Sequence, residues 1–150
     1  MKLTFTKLGS LLVASVLNSA TYGVEIDEHR LLAAIAEVET GTRNLDRACR
    51  KIGKHGERSA WQFRAGTWRQ YTRAPFELAS TCSYSANLVA AAHVRLLRTH
   101  IQYRYQTCTP FLIAAAWNAG LNRVLEDRIP LAAQSYAERV ANLYFDRISK

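Results

Sequence analysis

The chain has 150 residues, of which 49% are hydrophobic and 21% are charged. This composition excludes an intrinsically disordered chain, and the length is that of one domain with its own core. The net charge of +8 favours an acidic partner, although charge alone does not choose among nucleic acid, an anionic membrane and an anionic cell-wall polymer.

The first 23 residues have the pattern of a signal peptide. Lys2 and Lys7 give a positive start, residues 8–17 form a short apolar run, and the small and polar residues NSATYG follow. The run is shorter than the roughly 20 residues that a membrane-spanning helix needs. We therefore predict a signal peptide over residues 1–23, a domain over residues 24–150 and an exported protein, periplasmic or secreted. An N-terminal anchor or a buried helix is the alternative.

The first predicted helix of the domain carries an acidic residue on its apolar face. Leu32, Ile35 and Ala36 recur at the spacing of one helical face, and Glu39 continues that face. Glu37 points about 200° away from Glu39, at about 100° per residue, so we predict that Glu37 is solvated. Glu39 is therefore the unusual acid of this helix.

The position of Glu39 suits a general acid. Gly41 is typical of the residue just past a helix end, which places Glu39 in the last turn. A carboxyl group on an apolar face loses hydration, and this raises its pKa, as an acid that works near neutral pH requires. The alternative is an ordinary residue at the boundary of the apolar face.

The basic side chains are concentrated after this helix. Residues 43–73 hold nine basic side chains and only two acids, Asp46 and Glu57. We predict a loop over residues 40–59 at the start of this region. The charge excess would then lie beside the candidate acid.

An aromatic segment, SAWQFRAGTWRQYT, follows at residues 59–72. Its aromatic rings, mixed with Gln and Arg, suit sugars, which present both apolar faces and hydroxyl groups. Phe63 and Trp68 are predicted to be core residues. Gln62 is harder to explain in a core, because a buried amide needs hydrogen-bond partners.

A long helix is predicted next, over residues 85–98. Leu88, Ala92 and Leu96 lie at i, i+4 and i+8, which is the spacing of one helical face. His93 is interpreted as a residue at the boundary of that face rather than as a ligand.

Two further helices complete the predicted fold. A Thr-Pro pair at residues 109–110 starts a helix over residues 111–120, which is apolar almost all round and should be central. Asn118 at its end needs a hydrogen-bond partner. The last helix begins near Pro130 and turns Tyr136 inward, where its hydroxyl also needs a partner. Because no convincing strand pattern occurs, we predict a single all-α domain.

The cysteines do not indicate a disulfide or a metal site. Cys49, Cys82 and Cys108 could form at most one pair. Cys82 and Cys108 flank the long helix, whose length exceeds the separation that a disulfide allows. The Cys and His spacing does not match a zinc site, so we predict no metal.

Four short segments follow one another in the order of a known family. They are Glu39-Thr40-Gly41, Ser59-Ala60-Trp61-Gln62-Phe63 with Thr67-Trp68, Trp117-Asn118-Ala119-Gly120, and Tyr136-Ala137-Glu138-Arg139-Val140. With these segments the chain resembles the catalytic domain of soluble lytic transglycosylases, in the goose-type lysozyme-like superfamily, over about residues 31–145. The resemblance implies a lysozyme-like helical domain with an active-site cleft beside a buried central helix.

The resemblance also implies an activity. Members cleave the β-1,4 bond between N-acetylmuramic acid and N-acetylglucosamine in peptidoglycan, without a cofactor, and leave 1,6-anhydro products. Carried over by position, Glu39 is the catalytic acid and base. The expected substrate-binding residues are Glu57, Ser59, Gln62, Asn118 and Tyr136. The expected partner is the peptidoglycan glycan strand, bound by a monomer with no membrane span.

Glu57 leaves the reaction type open. It could position a water molecule and make the protein a muramidase, which hydrolyses the same bond with two carboxylates. It could instead form a solvated ion pair with Arg58 or Lys54. A cell-wall-binding module without catalysis is a further alternative. A nucleic-acid-binding protein is disfavoured, because the chain has a signal peptide pattern and no recognisable nucleic-acid-binding motif.

Overall fold

The computed structural model describes residues 25–147, which form one all-α domain. The predicted signal peptide at residues 1–23 lies outside the described residues. The helices are α1 (Glu28–Thr40), α2 (Leu45–Cys49), α3 (Ala65–Tyr71), α4 (Leu78–Thr81), α5 (Ser83–Tyr105), α6 (Pro110–Ala119), α7 (Leu121–Leu125) and α8 (Leu131–Asp146). Two isolated antiparallel bridges, at residues 52–58 and 58–63, are the extended pairings found within residues 25–147.

Helix α6 is the buried helix at the centre of the domain, as predicted. It begins where the Thr109 side chain accepts a hydrogen bond from the amide of Leu112. It packs against α5, α7 and α8. Three successive alanines, residues 114–116, are buried on it. Small side chains at these contacts let neighbouring helices approach closely.

Helices α1 and α8 pack against each other and carry the two ends of the described chain. The Asp27 side chain caps α1 by accepting from the amide of Arg30. The Asp27 amide donates to the Tyr144 hydroxyl of α8, at 3.0 Å. Tyr144 is buried, so this hydrogen bond gives its hydroxyl a partner and ties the start of α1 to the end of α8.

The prediction that Glu37 is solvated was wrong. Its side chain is only 17% exposed and accepts hydrogen bonds from Arg43, at 2.9 Å, and Arg147, at 2.7 Å. These two cations and their hydrogen bonds lower the pKa of the Glu37 carboxyl, although burial opposes them. The helical period correctly separated Glu37 from the apolar face, but it could not show that two arginines cover the other face.

The long helix differs from its prediction in length and in the face that it buries. Helix α5 spans 23 residues. Leu88 is 54% exposed and Leu96 is 39% exposed, whereas Val94 and Leu97 are buried. Apolar residues occupy two faces of α5, so the spacing of one set could not identify the face that packs against α6.

One smaller prediction, that of the loop after α1, also changed. The predicted loop over residues 40–59 contains the short helix α2, which starts where the Asn44 side chain accepts from the amide of Arg47. Cys49, Cys82 and Cys108 are free thiols. Cys82 and Cys108 lie at opposite ends of α5.

Candidate functional site

A cleft of about 530 Å³ opens beside the end of α1. It is lined by Glu39 from α1, by the loop around Glu57, by the segment around Gln62, by His93 from α5 and by residues 117–120 at the end of α6. Three of the four segments that carry the family resemblance thus contribute lining residues to one cleft.

Glu39 lies in the last turn of α1, as predicted. Gly41 ends this helix in the left-handed conformation, with φ of 69°, and its amide donates to the Glu37 carbonyl at 2.8 Å. Glu39 is half-buried although it lines the cleft. The helix end therefore delivers a carboxyl group to the wall of the cleft.

Burial is the main cause that raises the pKa of Glu39 above its ordinary value of 4.5. The negative charge of Glu57 also raises it. A hydrogen bond from Tyr136 and the positive charges of Arg139 and Lys51 act in the opposite direction, and burial outweighs them. Glu39 thus holds its proton to a higher pH than a solvated glutamate.

Tyr136 of α8 is the direct partner of Glu39. Its hydroxyl donates to Oε1 of Glu39 at 2.8 Å, which fulfils the prediction that this buried hydroxyl needs a partner. Burial and the neighbouring carboxylate raise the pKa of Tyr136 well above its ordinary value, so the hydroxyl stays a donor. The guanidinium of Arg139 lies 6.0 Å from the centre of the tyrosine ring.

Glu57 lines the same cleft in a different environment. Its own amide is the main cause that lowers its pKa, and the amide of His55, which donates to Oε2 at 3.0 Å, lowers it further. Its ion-pair partner is Arg64, with 3.8 Å between Nε and Oε1, rather than the predicted Arg58 or Lys54. The two environments therefore move the pKa values in opposite directions, up for Glu39 and down for Glu57.

Gly53 makes room for the polar side chains of the cleft. A Cβ atom at this position would collide with the Glu57 carboxylate and would lie 2.6 Å from the Gln62 side-chain oxygen. The amide of Gly53 also donates to the carbonyl of Glu57 at 2.8 Å. The absence of a side chain at residue 53 therefore permits the positions of both groups.

Gln62 lines the cleft, but Ser59 does not. Both residues have positive φ, 48° and 76°, and they form a tight turn in which the Gln62 side-chain amide donates to the Ser59 carbonyl at 2.8 Å. Ser59 is fully buried and its Oγ accepts from the amide of Trp61. Ser59 therefore shapes the turn that presents Gln62, and its role in substrate binding stays a prediction.

Asn118 lines the cleft, and two neighbouring side chains that the sequence did not identify as site residues line it as well. His93 and Trp117 also line it, with 4.9 Å between their ring centres. The Tyr71 hydroxyl lies 2.7 Å from Nδ1 of His93, and burial lowers the pKa of His93 to about 4. His93 is therefore a neutral imidazole at neutral pH.

His93 could have been found from the buried face of α5. It follows Val89 by four residues and precedes Leu97 by four, and both of these are buried. A helix places such residues on one face. On the face that Leu88 and Leu96 define, His93 lies only at the boundary between apolar and polar residues.

The aromatic segment beside the cleft is mostly core. Phe63 and Trp68 are buried, as predicted, and so is Trp61. The indole nitrogen of Trp61 donates to the Leu32 carbonyl of α1 at 3.0 Å. This hydrogen bond connects the segment to the helix that carries Glu39.

Comparisons with protein families, with curated proteins and with solved structures gave no match. Among residues 25–147, no group of three or more potential ligands is arranged to hold a metal ion. No helix in the same part of the chain is both long and apolar enough to cross a bilayer.

Glu39, with its raised pKa, and Glu57, with its lowered pKa, line the same cleft. Two carboxyl groups whose environments move their pKa values apart are the arrangement that divides acid and base roles in many enzymes. Amide, imidazole and indole groups, from Gln62, Asn118, His93 and Trp117, surround the pair. Such a lining offers hydrogen bonds and flat apolar surfaces to a sugar chain.

Proposed function

We propose that the protein is a peptidoglycan lytic transglycosylase in which Glu39 is the general acid and base. The observation that carries the proposal is the cleft-lining Glu39, whose pKa is raised by burial and whose carboxyl accepts the Tyr136 hydroxyl. The ordered segments that resemble soluble lytic transglycosylases support it. The proposed substrate is the β-1,4 bond between N-acetylmuramic acid and N-acetylglucosamine.

In the proposed reaction, protonated Glu39 gives its proton to the glycosidic oxygen as the bond to C1 of the muramic acid breaks. The resulting Glu39 carboxylate then accepts the proton of the 6-hydroxyl of the same sugar, whose oxygen bonds to C1. The products are a 1,6-anhydro sugar and a free 4-hydroxyl, and no water is consumed. Glu39 ends the cycle protonated.

Tyr136 is proposed to hold the Glu39 carboxyl in one orientation through both steps. Its hydrogen bond favours the charged form of Glu39, so it also stabilises the carboxylate after the first proton transfer. Gln62, Asn118 and Trp117 are proposed to bind the sugars on either side of the bond.

The second candidate is a muramidase that uses Glu57 as well. The specific observation in its favour is that Glu57 lines the cleft with a lowered pKa, as a carboxylate that activates water or stabilises a positive transition state requires. In the transglycosylase, the same negative charge would stabilise the developing charge at C1 without activating water.

Mass spectrometry of the soluble products from purified peptidoglycan tests the proposal. The account predicts 1,6-anhydro muropeptides from the wild type and from Glu57→Gln, although the variant should be slower. If the wild type instead released products with reducing ends, and Glu57→Gln did not, the muramidase would replace the transglycosylase as the proposed function. No product from the wild type, with binding to peptidoglycan retained, would leave a wall-binding module.

A further inference from the structure

A second cavity, of about 450 Å³, lies at the end of α1 beside the proposed catalytic residue. We call it the basic pocket. Its lining residues are Thr40, Gly41, Thr42, Arg47, Arg50 and Lys51. Thr40 directly follows Glu39 in the chain, so residues of the last turn of α1 line both the basic pocket and the cleft.

Helix α2 directs the cations of the basic pocket. Arg47 lies in α2 and Arg50 is the C-cap residue of this helix, while Ala48 and Cys49 between them are buried. Lys51 reaches across and donates from Nζ to the Thr40 carbonyl at 2.7 Å. The pocket therefore carries three positive charges, and one of them is positioned by a hydrogen bond to the end of α1.

These charges are not held in ion pairs among the described residues, although the charge of Lys51 also acts on Glu39. None of the three cations of the basic pocket lies within ion-pair distance of an acid in residues 25–147. Glu37, on the neighbouring turn of α1, is already bonded to Arg43 and Arg147. Asp46 lines a different cavity, on the side of Arg50 that faces α4. Three like charges in one concave site repel one another, and a bound anion would offset this repulsion.

We propose that the basic pocket binds a carboxylate of the stem peptide on the glycan strand that occupies the cleft. This inference rests on the proposed function. In peptidoglycan the lactyl carboxyl of the muramic acid is joined to the stem peptide, so the glycan itself is close to neutral and the negative charges belong to the peptide. An arginine pair with a lysine beside it matches a carboxylate in charge and in hydrogen-bond donors.

Binding measurements with the full chain test the assignment. Glu39→Gln serves as the parent, because it prevents cleavage during the measurement, and Arg47→Gln/Arg50→Gln is added to it. The probes are soluble glycan strands that carry stem peptides and the same strands stripped of peptides by an amidase. The matched control adds Arg98→Gln/Arg123→Gln, which removes equal charge at residues that line neither the cleft nor the basic pocket.

The account predicts that the Arg47/Arg50 variant binds stem-bearing strands about 5-fold to 10-fold more weakly than its parent, which lies within the range of about 2-fold to 30-fold for the loss of two exposed charge pairs. Stripped strands should bind the variant and its parent equally. The control should bind both probes like the parent, and all variants should melt within about 3 °C of one another.

Three results would overturn the inference. They are unchanged binding of stem-bearing strands by the Arg47/Arg50 variant, an equal loss for stripped strands, and an equal loss in the control. A wild type that releases no product from peptidoglycan would contradict the proposed function instead. Cleavage by the wild type together with unchanged binding by the Arg47/Arg50 variant would leave the proposed function standing and remove the basic pocket from it.

Discussion

At the scale of single residues, the central feature is the opposition between burial and hydrogen bonding at Glu39. Burial favours the neutral carboxyl, whereas the Tyr136 hydrogen bond and the Arg139 and Lys51 charges favour the carboxylate. Burial prevails, so the pKa lies above 4.5. A carboxyl group with a raised pKa stays protonated to higher pH than a solvated glutamate does, and the first step of the proposed reaction needs this protonated form.

The first prediction concerns pH and Tyr136. Because the first step needs protonated Glu39, kcat/KM of the wild type should fall as the pH rises through the raised pKa of Glu39. Tyr136→Phe removes a hydrogen bond that lowers this pKa, so the falling limb should move to higher pH. The maximal rate should drop about 10-fold, the cost of one hydrogen bond to a charged group. A pH–rate profile of both proteins measures this, and a limb that stays in place would show that Glu39 is not the titrating acid.

The second prediction concerns stability. Burial raises the folded-state pKa of Glu39, so the unfolded state loses this proton first and the free energy of unfolding falls as the pH rises above 4.5. The decline ends above the folded-state pKa, and the loss of stability persists at higher pH. Glu39→Gln keeps an oxygen for Tyr136 but has no charge. Its free energy of unfolding should therefore exceed that of the wild type at pH 8, by about 1.4 kcal/mol for each unit of pKa shift.

Denaturant unfolding at pH 4 and at pH 8 checks this second prediction. The difference between the two proteins should shrink at the lower pH, where Glu39 is largely protonated in both states. An equal difference at the two pH values would show that the substitution acts through packing rather than through charge.

Some residues could be predicted from the sequence and others could not. Glu39 and Tyr136 were predictable because helical spacing fixes which side chains point inward. The burial of Ser59 was not, because it depends on a turn with two positive φ values that neither Ser59 nor Gln62 favours. The Arg64 partner of Glu57 depends on loop geometry that no periodicity encodes.

At the scale of elements, α5 shows where the helical pattern failed. Its apolar residues occur on two faces, and only contact with α6 and the other helices decides which face is buried. Its start and end also lie beyond the predicted limits. In contrast, α1 and α6 were predicted well, because each has a single apolar pattern and a residue that marks an end, namely Gly41 and Pro110.

The third prediction tests the assigned face of α5. Leu97→Ala should destabilise the protein by about 2–5 kcal/mol, because Leu97 is fully buried. Leu88→Ala, the matched control on the same helix, should change the free energy of unfolding by less than about 0.5 kcal/mol, because Leu88 is 54% exposed. Denaturant unfolding of both variants measures the two effects. A larger loss of stability in Leu88→Ala than in Leu97→Ala would show that the Leu88 face of α5 is the buried one.

At the scale of the whole molecule, the site depends on distant parts of the chain. The cleft brings together α1, the loop and turn before α3, α5 and the end of α6. The all-α class followed from the patterns of single segments, but the cleft follows from how those segments pack. For this reason the sequence identified Glu39 and Asn118 as site residues but did not identify His93, which lines the same cleft.

The fourth prediction concerns the charge of the molecule. With a net charge of +8 and the three cations of the basic pocket next to the cleft, binding to anionic peptidoglycan should weaken as salt screens these charges. For Glu39→Gln we expect about 10-fold weaker binding when sodium chloride rises from about 50 mM to about 500 mM. A sedimentation assay with purified peptidoglycan measures this. Binding that does not depend on salt would show that the surface charge has no role in substrate recognition.

The most direct test of Glu39 as the general acid is the release of soluble muropeptides by the wild type, Glu39→Gln and Glu37→Gln. Glu37 is the matched control, because it lies on the same helix two residues away and does not line the cleft. The account predicts that Glu39→Gln loses about 100-fold to 10,000-fold in rate, the contribution of one general acid or base. Glu37→Gln should stay within about 3-fold of the wild type once both are shown to be folded. Release by Glu39→Gln at the wild-type rate would contradict the account, because the proposed reaction has no other source for the first proton.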